Sequence, residues 1–143
     1  MKKYKVGYTT GVYDMFHIGH LNILKKAKEQ CEQLIVGVTT DELCYSRKQK
    51  YPIINEHDRM AIVAEMRCVD KVVPQTDMDK VKAVQKYGAE AVFVGSDWKG
   101  TPAWNQYEKE FAAVGCKVVY LEYTEGISSS ILLDRLNSNE QER

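Results

Sequence analysis

The sequence predicts an α/β domain built on one doubly wound, parallel sheet of five strands. Two observations predict it. Short apolar runs alternate with amphipathic stretches along the whole chain, which implies strands joined by right-handed helical crossovers. One run, Leu34-Ile35-Val36-Gly37-Val38, is apolar without alternation, as a strand buried on both faces should be. The 143 residues suit a single domain with a proper core, expected over residues 1–136, with 137–143 as a polar, frayed tail.

The elements follow in order. Strand one is expected over Lys5 to Thr10 and helix one over Gly19 to Glu29. Leu34 to Val38 is strand two. Thr39 to Ile54 has no clean period, carries Arg47, Lys48 and Lys50, and contains Pro52, so most of it reads as a mobile loop. A second helix starts at Asn55-Glu56-His57-Asp58 and continues far enough to include Met66 and Arg67. Lys71 to Val73 is a short strand closed by Pro74, and Asp77 to Tyr87 is a helix ending at Gly88. Ala91 to Val94 is the fourth strand. Thr101-Pro102 is a good helix start, and that helix runs to Val114. Lys117 to Leu121 is the fifth strand, and Ser128 to Leu136 the last helix.

Composition narrows the function classes. Hydrophobic content of 44%, charged content of 28% and a formal net charge of zero describe an ordinary soluble chain, without the basic surface of a nucleic-acid binder. No stretch is long and apolar enough for membrane insertion, and no signal-peptide pattern precedes the first strand, so the expected location is the cytoplasm. The four cysteines are scattered without a C-x-x-C, which fits free thiols in a reducing compartment.

The most informative stretch is Tyr8 to Leu21, which contains Thr10-Gly11-Val12-Tyr13-Asp14 and His17-Ile18-Gly19-His20. It lies between strand one and helix one, where an α/β sheet offers backbone N–H groups and a helix N-terminus to an anion. Gly11 is expected to let a phosphate approach the backbone. His17 and His20, three apart at the helix mouth, can both donate N–H groups to phosphate oxygens. A second such place is Thr124-Glu125-Gly126-Ile127-Ser128-Ser129, where Ser128 or Ser129 can cap the last helix. Both segments and the Gly95 turn should meet at the carboxyl edge of the sheet. Two helix N-termini at one edge favour a triphosphate.

Read together, these segments resemble the cytidylyltransferase family, within the nucleotidyltransferases that share a His-Ile-Gly-His signature and a Rossmann-like fold. The likeness is strongest to the small bacterial branch that acts on glycerol 3-phosphate. Thr124-Glu125-Gly126-Ile127-Ser128 matches the family's C-terminal run Arg-Thr-Glu-Gly-Ile-Ser, with Tyr123 in place of its Arg. Arg67-Cys68-Val69-Asp70 is similar to its Arg-Tyr-Val-Asp, and Gly95-Ser96-Asp97-Trp98 to its Gly-Asp-Asp-Trp. Gly11-Val12-Tyr13-Asp14 looks more like the phosphocholine and phosphoethanolamine enzymes.

The resemblance implies transfer of a cytidylyl group from CTP to sn-glycerol 3-phosphate, giving CDP-glycerol and pyrophosphate. Phosphocholine or phosphoethanolamine as acceptor, or adenylyl transfer, are the alternatives. His17, His20 and Lys48 are the implied catalytic residues. Thr10, Gly11, Val12, Tyr13, Asp97, Thr124, Gly126, Ile127, Ser128 and Ser129 would bind the nucleotide. Arg59 and Arg67 would bind a phosphate or the acceptor, and Mg²⁺ would bridge the phosphates with Asp14 as its protein ligand or as a turn residue. A homodimer is implied. Trp98 and Trp104 read as packing groups, and His57 as a surface residue.

Overall fold

The five apolar runs form β1 (Tyr4–Gly11), β2 (Cys31–Thr39), β3 (Lys71–Gln75), β4 (Ala91–Gly95) and β5 (Lys117–Leu121). The helices are α1 (Ile18–Glu29), α2 (Asp41–Lys48), α3 (Glu56–Ala64), α4 (Lys80–Tyr87), α5 (Pro102–Ala113) and α6 (Ser129–Gln141), in a computed structural model that describes residues 2–124 and 127–141. Neighbouring strands are parallel, in the spatial order β3-β2-β1-β4-β5. The chain therefore winds outward from β1 through β2 and β3, then returns to wind outward through β4 and β5. That reversal puts a switch point between the carboxyl ends of β1 and β4, where open parallel sheets bind ligands.

Alternate strand residues feed two cores. Leu34, Val36 and Val38 join Ala91 and Phe93 on one face, with Leu24 and Ala27 of α1 and Val63 of α3. Ile35 and Val92, with Tyr8 and Val73, face the other side, against Val84 of α4 and Trp104 and Phe111 of α5. This two-sided burial explains the unbroken apolar run in β2. Thr101 and Asn55 cap α5 and α3 as the sequence suggests, accepting from the amides of Trp104 and Asp58.

Five expectations are corrected. Residues 39–54 are not mostly loop: Asp41–Lys48 is helical. The Thr40 hydroxyl caps it, Asp41 and Glu42 lie in its first turn, and Arg47 and Lys48 lie in its last, all favoured by the helix dipole. It buries only Cys44, so it has no apolar period to read. Pro74 does not close β3, because the strand runs on to Gln75 on the sheet edge, where a missing N–H is tolerated. α4 starts at Lys80, not Asp77, because the Asp79 carboxylate accepts the Lys82 amide and sets the first turn there. α3 ends at Ala64, so Arg67 lies in the following turn rather than on a helix. The last helix continues past Leu136, to Gln141.

Candidate active site

The switch point opens into a cavity of about 450 Å³. Its walls come from the end of β1, the mouth of α1, the end of α2 with the loop after it, the end of β4, and the segment leading into α6. Thr10, Gly11, Val12, Tyr13, Asp14, His17, His20, Lys48, Thr124, Ile127, Ser128 and Ser129 all line it. Gly126, also expected at the site, lies outside the described residues.

The turn between β1 and α1 fixes the histidines. His17 is the N-cap of α1, and its Nδ1 accepts the Gly19 amide at 3.1 Å. His20 reaches back, its Nδ1 accepting the His17 amide at 3.2 Å. The pair is a capping box built from two imidazoles. Their rings stack, with centroids 3.8 Å apart and planes 20° from parallel. Because each Nδ1 accepts a backbone N–H, each neutral ring carries its proton on Nε2. His17 Nε2 is shielded from solvent and has no partner among the described residues. Burial lowers both pKa values; the neighbouring His17 adds to the effect at His20, which falls to about 4. Both rings are therefore neutral donors at pH 7.

The first glycine has a different reason from the one expected. A Cβ on Gly11 would meet the Tyr13 ring at 2.9 Å, so its missing side chain makes room for Tyr13 rather than for a phosphate. Tyr13 is 6% exposed and lies edge-on to His20, with centroids 5.4 Å apart. It supports the imidazole from the core. Gly95 serves Tyr123 in the same way, since any Cβ there would collide with the phenol ring.

The segment after β5 is tied to the same turn. Asn22 of α1 donates to the Thr124 hydroxyl at 2.8 Å, and the Ser129 hydroxyl donates to the Asp14 carbonyl at 3.0 Å. Ser128 accepts the Ile131 amide at 3.1 Å, so Ser128 is the capping serine.

Three expected residues stand elsewhere. Arg59 is 1% exposed, and each nitrogen of its guanidinium donates to the protein. It donates to the carbonyls of Ile54, Val12 and Thr39 at 2.7–2.8 Å and pairs with Asp41 at 2.6 Å. It holds backbone and Asp41 rather than lining the cavity, because each of its three nitrogens already has an acceptor inside the protein. Arg67 is exposed and not among the cavity-lining residues. Asp97 is not among them either; it lies beside Tyr123, whose phenol pKa is raised by burial and then by that carboxylate.

Other residues were missed. Lys50, Tyr51, Pro52 and Ile53 line the mouth, and Trp98, read as a packing group, is 44% exposed inside the cavity. Trp104 is indeed packed, at 7% exposed. Lys80 is buried behind the end of β1, with Nζ donating to the Thr10 hydroxyl at 2.8 Å and lying 5.8 Å from the Trp104 ring centroid. Desolvation, aided by Arg47, lowers its pKa to about 8. Only the amphipathic period of α4 marked its position, and that period gives no hint of a buried ammonium.

Among the described residues, no group of three or more His, Cys, Asp or Glu side chains could hold a metal ion. Asp14 uses both carboxylate oxygens on backbone amides, those of Ile53 and Ile54. Among the described residues, then, Asp14 is committed to the backbone and stands in no such cluster.

The family model for cytidylyltransferase-like proteins matches residues 8–135. A glycerol-3-phosphate cytidylyltransferase of Bacillus spizizenii is 34% identical over 85% of this chain and 89% of its own length. Its namesake from Staphylococcus aureus is 33% identical over 90% of this chain and 92% of its own. Among solved structures, a lipopolysaccharide core biosynthesis protein from Thermoplasma volcanium superposes with a TM-score of 0.74 at 27% identity, covering 85% of this chain and 99% of that one.

Proposed function

This chain belongs to the cytidylyltransferase-like family, and from that premise we propose that it transfers the cytidylyl group of CTP to sn-glycerol 3-phosphate. The products are CDP-glycerol and pyrophosphate. The family and the relatives make it a nucleotidyltransferase; the choice of CTP and of this acceptor is the proposal.

One observation carries the reading of the cavity. Two stacked neutral imidazoles have their Nδ1 atoms committed to the backbone, and a shielded Nε2–H on His17 lacks an acceptor among the described residues. A buried donor without a partner costs about 1–3 kcal/mol, and a phosphate oxygen of the substrate would relieve that cost.

The chemistry needs little from a general base. A phosphate monoester has a second pKa of about 6 and is mostly dianionic at neutral pH. One of its oxygens forms a bond to the α-phosphorus of CTP. The bond from that phosphorus to the bridging oxygen breaks, and pyrophosphate departs with the electron pair. The protein's work is to bring two anions together and stabilise charge at the reacting phosphorus. In this reading His17 and His20 donate Nε2–H to the phosphate chain, and Lys48 reaches over the α-phosphate from the end of α2. Ser128, at the cap of α6, contributes that helix's N-terminus at the opposite wall. Lys80, a buried ammonium with a hydroxyl partner, adds positive potential behind Thr10.

Mg²⁺ remains part of the proposal. Held by phosphate oxygens and water rather than by a protein cage, it would offset phosphate charge when bound. We also propose a homodimer, which light scattering would show as twice the chain mass, and a cytoplasmic setting in which free Cys31, Cys44, Cys68 and Cys116 stay reduced. No helix among the described residues is long and apolar enough to cross a membrane.

One observation favours a second acceptor class. Tyr51, Trp98 and Tyr123 present exposed aromatic rings in the cavity, as a site for a quaternary or primary amine would. Phosphorus NMR of the chain with CTP and glycerol 3-phosphate tests the first reading. Growth of a diphosphodiester signal with pyrophosphate is expected; an unchanged spectrum contradicts it.

A further inference from the structure

We infer that Asp14 is a positioning residue that locks the Lys48 segment and the start of α6 onto the turn bearing the histidines. The inference rests on reading the cavity as a phosphate-transfer site, and it assigns Asp14 a task other than holding metal.

Asp14 joins three segments. Its Oδ2 accepts the Ile53 amide at 2.8 Å and its Oδ1 the Ile54 amide at 2.9 Å, two charge-assisted bonds across some 40 positions of chain. Its own carbonyl accepts the Ser129 hydroxyl at 3.0 Å. Tyr13 and Met15 on either side have φ of 55° and 50°, a conformation that costs non-glycine residues energy and persists only where the surroundings impose it. Those two reversals aim the carboxylate at the 53–54 backbone while the main chain of the same residue meets α6. The Ile54 carbonyl then accepts from Arg59 at 2.8 Å, and Arg59 also holds the carbonyl of Val12 at 2.7 Å, so the loop is fastened to the β1 turn twice.

Lys48 lies between this fastening and the buried part of α2. It ends α2, and Gln49 follows with φ of 60°. The stretch from Lys50 to Ile53 borders the cavity and closes against Asp14. Freed from that carboxylate, the loop would keep its cations but not their direction. The expected consequence is a loss in turnover with little change in CTP binding, because the histidines and the α6 terminus remain in place.

A double-mutant cycle between Asp14 and Lys48 tests this. Asp14→Asn should lower kcat by about tenfold or more in the parent, and by less than about twofold in a Lys48→Ala background, since a positioning group has nothing left to position. The Kd for CTP should move by less than about threefold in either background. Equal losses in both backgrounds would overturn the inference. So would a main effect on the Mg²⁺ concentration needed for half-maximal rate, which would mark Asp14 as a metal ligand. Amide hydrogen exchange on the unmodified chain is the second measurement, and it needs neither a variant nor turnover. Protected Ile53 and Ile54 amides are expected. Exchange at the rate of an exposed loop would refute the junction even if Asp14→Asn failed to fold. Absent turnover in the parent would count against the phosphate-transfer reading, while the exchange result would still decide the junction.

Discussion

The imidazole of His20 stacks on that of His17 at 3.8 Å, and each ring takes its orientation from the other's end of the same helical turn. Each histidine thus caps the helix and, in the proposed reaction, also donates to the ligand. Alanine substitutions would confound the two roles, because losing a cap alone costs about 1 kcal/mol.

His17→Asn separates them. Asparagine is a strong cap but presents no Nε2–H at the cavity. Stability by urea titration should stay within about 1 kcal/mol of the parent, while kcat falls by about a hundredfold, as for loss of one preorganised donor. Near-normal turnover in a folded His17→Asn protein would remove His17 from the reaction.

Acid should destabilise the protein through His20. Its folded pKa, about 4, lies below the ordinary value of 6.5. The unfolded chain therefore binds more protons between those values, and stability, full above pH 6.5, falls as pH drops toward 4. Melting temperatures across that range should decline less steeply in His20→Asn than in the parent. Parallel curves would mean that His20 titrates normally in the folded state.

Lys48→Ala is expected to lower kcat more than it weakens CTP binding, since in the proposed reaction the lysine at the end of α2 would act as charge develops on the phosphorus. Lys50 also lines the cavity. A silent Lys48→Ala beside a crippled Lys50→Ala in the same steady-state assay would transfer the role to Lys50.

Arg59→Met should cost about 3–5 kcal/mol of stability, because it strands the Asp41 carboxylate and the carbonyls of Ile54, Val12 and Thr39. Denaturant unfolding measures it. Unchanged stability with weakened CTP binding would return Arg59 to the ligand.

The sheet was legible because its signal is apolar periodicity. Leu34 to Val38 could only be a strand covered on both sides, and the alternation of runs gave a parallel topology. The meeting of His17, His20 and Ser128 was legible too, since a doubly wound sheet brings those segments to one edge, whereas the place of Lys48 was implied by the family resemblance. What escaped depended on polar contacts across long sequence gaps. Arg59 looks alike in sequence whether it meets a phosphate or three carbonyls, and Asp14 alike whether it binds a cation or two amides. α2 escaped because capping and charge, not burial, define it. Lys80 escaped because nothing local says that its ammonium is buried.

The most direct test of cytidylyl transfer is kcat/KM by pyrophosphate release, with CTP or ATP against glycerol 3-phosphate, phosphocholine and phosphoethanolamine. The highest value is expected for CTP with glycerol 3-phosphate. A preference of about tenfold for either amine, equivalent to about 1.4 kcal/mol in transition-state binding, would replace the acceptor. Preference for ATP over CTP by the same margin, with any acceptor, would contradict cytidylyl transfer itself.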